Sequence, residues 1–170
     1  QHYRDARILP IYEGTTAIQA NDLVGRKTAR DGGAVAKAIA ARIEATEGEL
    51  QKSGSDAAKA MLRSLRAARQ SYLEVVEFIA GRSKASPNEV YAGSVPYLML
   101  AGNTVAGWQM ARALLAAEKH LAAGEDPAFM RAKIATARFY ADHILSRVPG
   151  IGHSIVAGAA ALAEMPIEAL

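Results

Sequence analysis

The chain reads as an all-α protein, an antiparallel helical bundle of about five to six helices. Three observations predict this. Alanine, the best helix former, dominates a composition that is 51% hydrophobic and 22% charged, which is globular rather than disordered. Apolar residues recur every three or four positions in one segment after another. No segment shows the alternation and tight hairpin turns that strands require. With 170 residues the chain is long enough for one domain with a sizeable core, or for one domain plus a short additional segment.

The elements follow from local punctuation. Residues 3–9 finish a helix, Pro10 breaks it, and 10–14 form a connector. Thr16 and Gln19 fit a capping box, so a helix is predicted from about Ala17 to Ala29. Asp31-Gly32-Gly33 stops it, and the domain boundary is predicted there, with residues 1–30 on one side and 31–170 on the other. The next helix runs from about Ala34 to Lys52, with Val35, Ile39, Ile43 and Leu50 on its apolar face. After the turn Ser53-Gly54-Ser55, Asp56 is expected to cap a helix carrying Met61, Leu65, Tyr72, Val76 and Ile79 and ending near Gly81. Ser86-Pro87 opens a long central helix reaching Ala123, bent near Pro96 and Gly102. Gly124 closes it and Asp126-Pro127 starts another, striped by Met130, Ile134, Ala137, Ile144 and Val148. Pro149, Gly150 and Gly152 interrupt the chain before a short final helix, about Ser154 to Glu164.

Composition removes several classes of function. There is no cysteine, hence no disulfide, thiolate metal site or thiol nucleophile, which suits a reducing compartment. A net charge of +3 and 6% aromatic residues do not make a nucleic-acid binder. Lys59, Arg63, Arg66 and Arg69 share a helical face that reads as a solvated stripe. Gln1 to Ile8 lacks an apolar run, so no targeting peptide is expected there; the expected location is cytoplasmic. Val90 to Ala111 bears no formal charge, but its glycines, Ser94, Pro96, Asn103, Thr104 and Gln109 are too polar for lipid, so it reads as a buried bundle helix with Tyr97 and Trp108 in the core. His143 and His153 have no partner at metal-site spacing, and no metal is expected. There is no GxGxxG, P-loop or GxSxG.

One segment carries chemistry: Arg4-Asp5-Ala6-Arg7-Ile8, then Ile11-Tyr12-Glu13-Gly14-Thr15-Thr16-Ala17-Ile18-Gln19. On spacing alone Glu13 is an acid near a helix N-terminus, favoured by the dipole. The segment also resembles the catalytic-base region near the C-terminus of the flavin-dependent acyl-CoA dehydrogenases, and this resemblance covers about residues 3–30. Asn21 to Lys27 continues like the longer members, such as those acting on methylmercaptopropionyl-CoA, which carry an additional C-terminal helical domain. Residues 34–170 are similar to that extension, including Gly93-Ser94-Val95-Pro96-Tyr97-Leu98.

The resemblance implies that the bundle is preceded by the terminal helix segment of an acyl-CoA dehydrogenase domain, and that the chain is the C-terminal part of a longer flavoenzyme. Glu13 matches the base that takes the alpha proton of an acyl-CoA, and Gly14 the small residue beside the bound thioester. Thr15 matches the threonine lying against FAD, with Thr16 and Ala17 as further cofactor-binding positions acting through backbone. It implies FAD, an acyl-CoA substrate, an electron-transfer flavoprotein as acceptor and a homo-oligomer. FAD is not expected to be held by this chain alone, because one wall of a site does not supply the affinity of several. The other class of function is a structural, oligomerisation or acceptor-docking helical module without chemistry of its own.

Overall fold

A computed structural model describes residues 1–11 and 15–164. Every regular element among the described residues is helical. After a short helix α1 (His2–Asp5) and a 3-10 turn (Ala6–Ile8), α2 (Thr16–Asp22) runs directly into a π-helical segment, Leu23–Ala29. The bundle proper is α3 (Ala34–Ser53), α4 (Asp56–Arg82), α5 (Pro87–Ala92), α6 (Ser94–Ala122), α7 (Pro127–His143) and α8 (Val148–Ala163). Only Gly54 and Ser55 separate α3 from α4, so the two run antiparallel, and α4 packs in turn on α6, α7 and α8. The all-α bundle predicted from the sequence is the fold found.

The turn between α3 and α4 shows how a connection becomes obligatory. Gly54 ends α3 at φ +66°, a conformation that glycine adopts without steric cost. The cap of α4 is Ser55, not Asp56: its Oγ accepts the Ala58 N–H at 3.0 Å while Asp56 sits in the first turn. Ser53 Oγ donates to Glu118 at 2.6 Å and Ser55 Oγ donates to the same carboxylate, which ties the turn to α6.

Proline and glycine act differently from expectation at three points. The long central helix is broken at Gly93, giving α5 and α6, and Pro96 falls in the first turn of α6, where no N–H is needed, so that α6 continues past it and past Gly102 to Ala122. Pro149 likewise lies in the first turn of α8, so Pro149, Gly150 and Gly152 belong to that helix instead of interrupting it. Gly152 is there for contact: a Cβ on it would fall 1.9 Å from Ser71 Oγ on α4.

The core is built on three-four spacing. On α6 it is Tyr97, Leu100, Thr104, Gly107, Ala111 and Leu114, and the Thr104 hydroxyl is satisfied by the Leu100 carbonyl at 2.8 Å. On α3 the buried face is Ala36, Ala40, Ile43, Glu47 and Leu50. Val35, expected there, is 60% exposed. The reason is phase: four-residue spacing drifts by about 40° per step, so the row Val35, Ile39, Ile43 turns from exposed through half-buried to buried, while Ala36 and Ala40 face inward from the start. Trp108 is half-buried, its Nε1 donating to Thr46 Oγ1 at 2.8 Å.

The basic stripe on α4 is also not what its spacing suggests. Arg69 donates from Nε to Glu47 Oε1 at 2.6 Å and from Nη2 to Oε2 at 3.0 Å; Arg66 Nε reaches the same carboxylate at 3.2 Å. Glu47 is almost fully buried, and the Arg69 side chain is 11% exposed. The hydrogen bond with Glu47 holds the Arg69 pKa above its ordinary value, outweighing burial. Lys59, Arg63 and Arg66 remain on the surface as expected, Arg66 while reaching inward to Glu47, and Arg69 alone is drawn under it.

Two stability measurements check this account. Leu100→Asp should cost about 3–5 kcal/mol, because an unpaired carboxylate would replace a completely buried side chain, and Leu98→Asp clearly less since Leu98 is half-exposed. Arg69→Ala should cost roughly 2–3 kcal/mol by stranding Glu47, and Arg66→Ala, at a half-exposed position, less than about 1 kcal/mol. Urea unfolding of the four variants decides; equal losses for the two arginines would show that Glu47 needs neither in particular.

Candidate functional site

Of the residues singled out as a site, Glu13 and Gly14 lie outside the described residues, while Thr15, Thr16 and Ala17 form the start of α2. The helix begins one residue earlier than predicted. Thr15 is its N-cap and its carbonyl accepts the Gln19 N–H at 2.8 Å. Thr16 and Gln19 are thus both inside the helix and the capping box does not form. The Thr15 hydroxyl makes no capping bond either. Thr16, Ala17 and Ile18 are exposed, and the first-turn N–H groups of α2 have no acceptor within the helix. A helix start of this kind is suited to an anion, since its donors and its dipole point the same way.

What the structure adds is how this helix start is held. Ala20, Val24 and Thr28 are buried, spaced by four residues along one line. In a pure α-helix that spacing drifts by about 40° per step, so Thr28 would end well off the line of Ala20. The wider turn of the π segment, seen in the Arg30 N–H bond to Gly25 O at 3.1 Å, takes up that drift. Thr28 Oγ1 then meets the Tyr97 hydroxyl of α6 at 2.9 Å. Tyr97 stacks on Tyr72 of α4, centroids 6.3 Å apart and planes 13° from parallel. Gly25 lies under Tyr91 of α5, where a Cβ would be 2.5 Å from the Tyr91 hydroxyl. Asp31 finishes the segment, its carboxylate accepting the N–H groups of Gly33 and Val35 at 2.9 and 3.1 Å.

Burial pushes both central phenols up. For Tyr72 the loss of solvent is the main cause, with the neighbouring Tyr97 adding to it. For Tyr97 burial outweighs the hydrogen bonds from Thr28 and Tyr72 that work the other way. The core reading of Tyr97 was correct, yet its pairing with Thr28 across 69 residues had no signal in the sequence. Among the described residues no three metal-ligating side chains come together. His143 stacks on Phe139 at 4.5 Å, and exposed His153 lines an open cleft of about 300 Å³ between α4 and α8. No helix among the described residues is long and apolar enough to cross a membrane.

Residues 34–166 match the family described as acetyl-CoA dehydrogenase C-terminal like. The chain belongs to this family. It is similar to 3-methylmercaptopropionyl-CoA dehydrogenase of Ruegeria pomeroyi, 50% identical over 92% of this chain and 28% of that protein. It is also similar to the broad-specificity linear acyl-CoA dehydrogenase of Mycobacterium tuberculosis (35% identical, 85% of this chain, 25% of that one). A third relative, butyryl-CoA dehydrogenase of Syntrophomonas wolfei, is 32% identical over 98% of this chain and 27% of its own length. The chain therefore spans little more than a quarter of the relatives it matches. This acyl-CoA dehydrogenase C-terminal chain has the helical bundle α3–α8 as the part matched by the family, with α2 and its π segment packed on it.

The raised phenols give a pH test. A phenol whose folded pKa exceeds the unfolded value of about 10 contributes stability that is complete below pH 10 and lost as pH rises beyond it, at about 1.4 kcal/mol per unit. Between pH 9 and 11 the parent chain should lose more unfolding free energy than Tyr72→Phe, which has one such phenol fewer. Parallel losses in denaturant titrations would mean that Tyr72 ionises freely in the folded state.

Proposed function

We propose that the full-length protein carrying this chain is an FAD-dependent acyl-CoA dehydrogenase, converting an acyl-CoA thioester to a trans-2-enoyl-CoA with Glu13 as the base. The observation that carries the reading is the Ile11-Tyr12-Glu13-Gly14-Thr15 motif in a chain 50% identical to a named acyl-CoA dehydrogenase. Glu13 takes the alpha proton. For that a carboxylate must be more basic than in water, and apolar covering does this by disfavouring its charged form. The neighbours suit such covering: Ile8, Leu9, Ile11 and Ile18 are all exposed in this chain and would be covered by the remaining walls of the site. Gly14 leaves room beside the thioester. Thr15, and the backbone of Thr16 and Ala17, would hold the cofactor; the fit rests on their place at the start of α2, where among the described residues the Thr15 hydroxyl makes no capping bond. When bound, FAD supplies the acceptor for the beta hydride.

On this reading residues 1–30 end the dehydrogenase domain and 31–170 form its C-terminal extension. The enzyme would be a cytoplasmic homo-oligomer passing electrons to an electron-transfer flavoprotein. A second reading gives the bundle the role of a structural or docking module. It is favoured by the large apolar side chains left exposed on α6 and α7, among them Met99, Phe129 and Phe139.

In the full-length enzyme Glu13→Gln should keep its flavin and its acyl-CoA affinity and slow substrate-driven flavin bleaching by about 10²–10⁴-fold, since the amide keeps the shape but takes no proton. Bleaching at the parent rate would reduce Glu13 to an acid at a helix start.

A further inference from the structure

We infer that the outer face of α7 is a self-docking surface, on which two copies of the protein pair their α7 helices antiparallel about a two-fold axis. This deepens the docking reading of the bundle, on which it rests, and is independent of Glu13. α7 meets α4 and α6 through Ala137 and Ala141, with Ile134 half-buried beside them. At about 100° per residue, Ala128, Ala132, Ala135, Phe139 and His143 fall within roughly 80° of one another on the opposite side. All five are exposed, and no formal charge lies within that arc. Phe139 is 58% exposed with His143 stacked on it, and Phe129 at the edge is 52% exposed beneath Lys133. Among the described residues nothing covers this face, and an apolar helix face of this kind calls for an occupant.

The face is graded along its length, and the grading identifies the occupant. Its N-terminal half is small, Ala128, Ala132 and Ala135, and its C-terminal half is bulky, Phe139 and His143. Along one edge the charge changes sign in the same direction, from Arg131 to Asp142, whose Oδ2 is taken by Arg138 and whose Oδ1 is left over. An occupant that answers both gradients is bulky where α7 is small and acidic where α7 is basic. That is α7 reversed. With the axis between Ala135 and Thr136, Phe139 falls opposite the partner's Ala132, and His143 opposite the partner's Ala128. Arg131 then lies within about 3 Å, along the helix, of the level of the partner's Asp142, a gap that a guanidinium spans. Sliding the pair to set Phe139 on the partner's Ala128 widens that offset to about 9 Å, so the charges fix the register. A parallel pair fails on both counts, stacking Phe139 on the partner's Phe139 and Arg131 beside the partner's Arg131. The reversed pair is isologous and closes at two copies.

The test follows association of this chain, whose helices enclose a core of their own, by sedimentation equilibrium. A contact one 17-residue helix long is small, so the parent should dimerise with a dissociation constant of about 10–100 µM. Ala132→Glu sets an unpaired carboxylate against Phe139 of the partner subunit and should weaken the dimer at least about tenfold. Ala160→Glu, at an exposed position on α8, should leave it within about twofold. Arg131→Asp and Asp142→Arg each create two like-charge pairs across the axis, and each alone should weaken the dimer about tenfold. Mixed one to one they restore both opposite-charge pairs, and the mixed dimer should come within about threefold of the parent. Circular dichroism confirms that each variant is folded; should Asp142→Arg fail, Ala132→Glu and Arg131→Asp carry the decision. A dimer indifferent to Ala132→Glu and to Arg131→Asp overturns the α7 face while leaving the bundle a docking module by another surface. A parent still monomeric at roughly 1 mM overturns self-docking outright and leaves the face to a different protein.

Discussion

The enclosure of α4 is the constraint from which most of this structure follows. Four helices, α3, α6, α7 and α8, lie against it, and four helices fit around a fifth only if backbones approach closely. The buried residues of α4 accordingly include Ala58, Ala60, Ser64, Ala68 and Ser71 between its larger anchors Met61, Leu65 and Val76. The neighbours answer in kind: Gly152 of α8 sits against Ser71, and Gly107 of α6 against Leu145. Alanine is thus a packing requirement here as much as a helix preference. The dense contact this permits is what supplies dispersion energy in place of large side chains.

Close approach also explains why charge is found inside. Where α3 and α4 touch on their small-residue rows, Glu47 has no path to solvent and must be satisfied locally. Two donors of Arg69 and one of Arg66 do so. Such a cluster adds little net stability over apolar packing, but it permits only one register of the two helices, because any slip leaves the carboxylate unpaired. The Thr28–Tyr97 pair plays the corresponding part where α2 meets α6. Directional polar contacts therefore index the helices, and apolar ones hold them together.

This division marks what could be read from the chain alone. Helix existence, the Ser86-Pro87 and Asp126-Pro127 starts and the burial of Met61, Leu65, Tyr72, Val76 and Ile79 were legible, because each rests on local spacing or local punctuation. The positions misread were those where a distant partner decides. Val35 lost its buried place to Ala36 and Ala40 because of how near α4 comes, and Arg69 lost its solvated role to a glutamate some twenty residues back, while exposed Arg66 reaches the same carboxylate from the surface. Gly152 looked like a helix breaker because nothing in sequence places Ser71 against it. In the candidate site the motif around Glu13 was legible as a motif. The Thr15 cap was misassigned by one residue, since Thr15 and Thr16 are equivalent as capping chemistry and only the helix phase separates them.

The π segment makes chain length itself a structural variable. A turn wider than an α-turn persists only while it holds its full complement of residues. Loss of a single residue between Leu23 and Ala29 would let the rod relax to α geometry, where seven steps of about 100° nearly equal the two turns that eight steps make now, so what precedes it would turn by only about 20°. The same loss between Thr16 and Ala20 has no wide turn to absorb it and would rotate everything before it by about 100°. A residue more or less in the turn at Gly124-Glu125 would only change the path between two helices that are already fixed by their packing. The stretch from Thr15 to Thr28 thus behaves as a ruler, and its tolerance to insertion and deletion is set by rotation and not by burial.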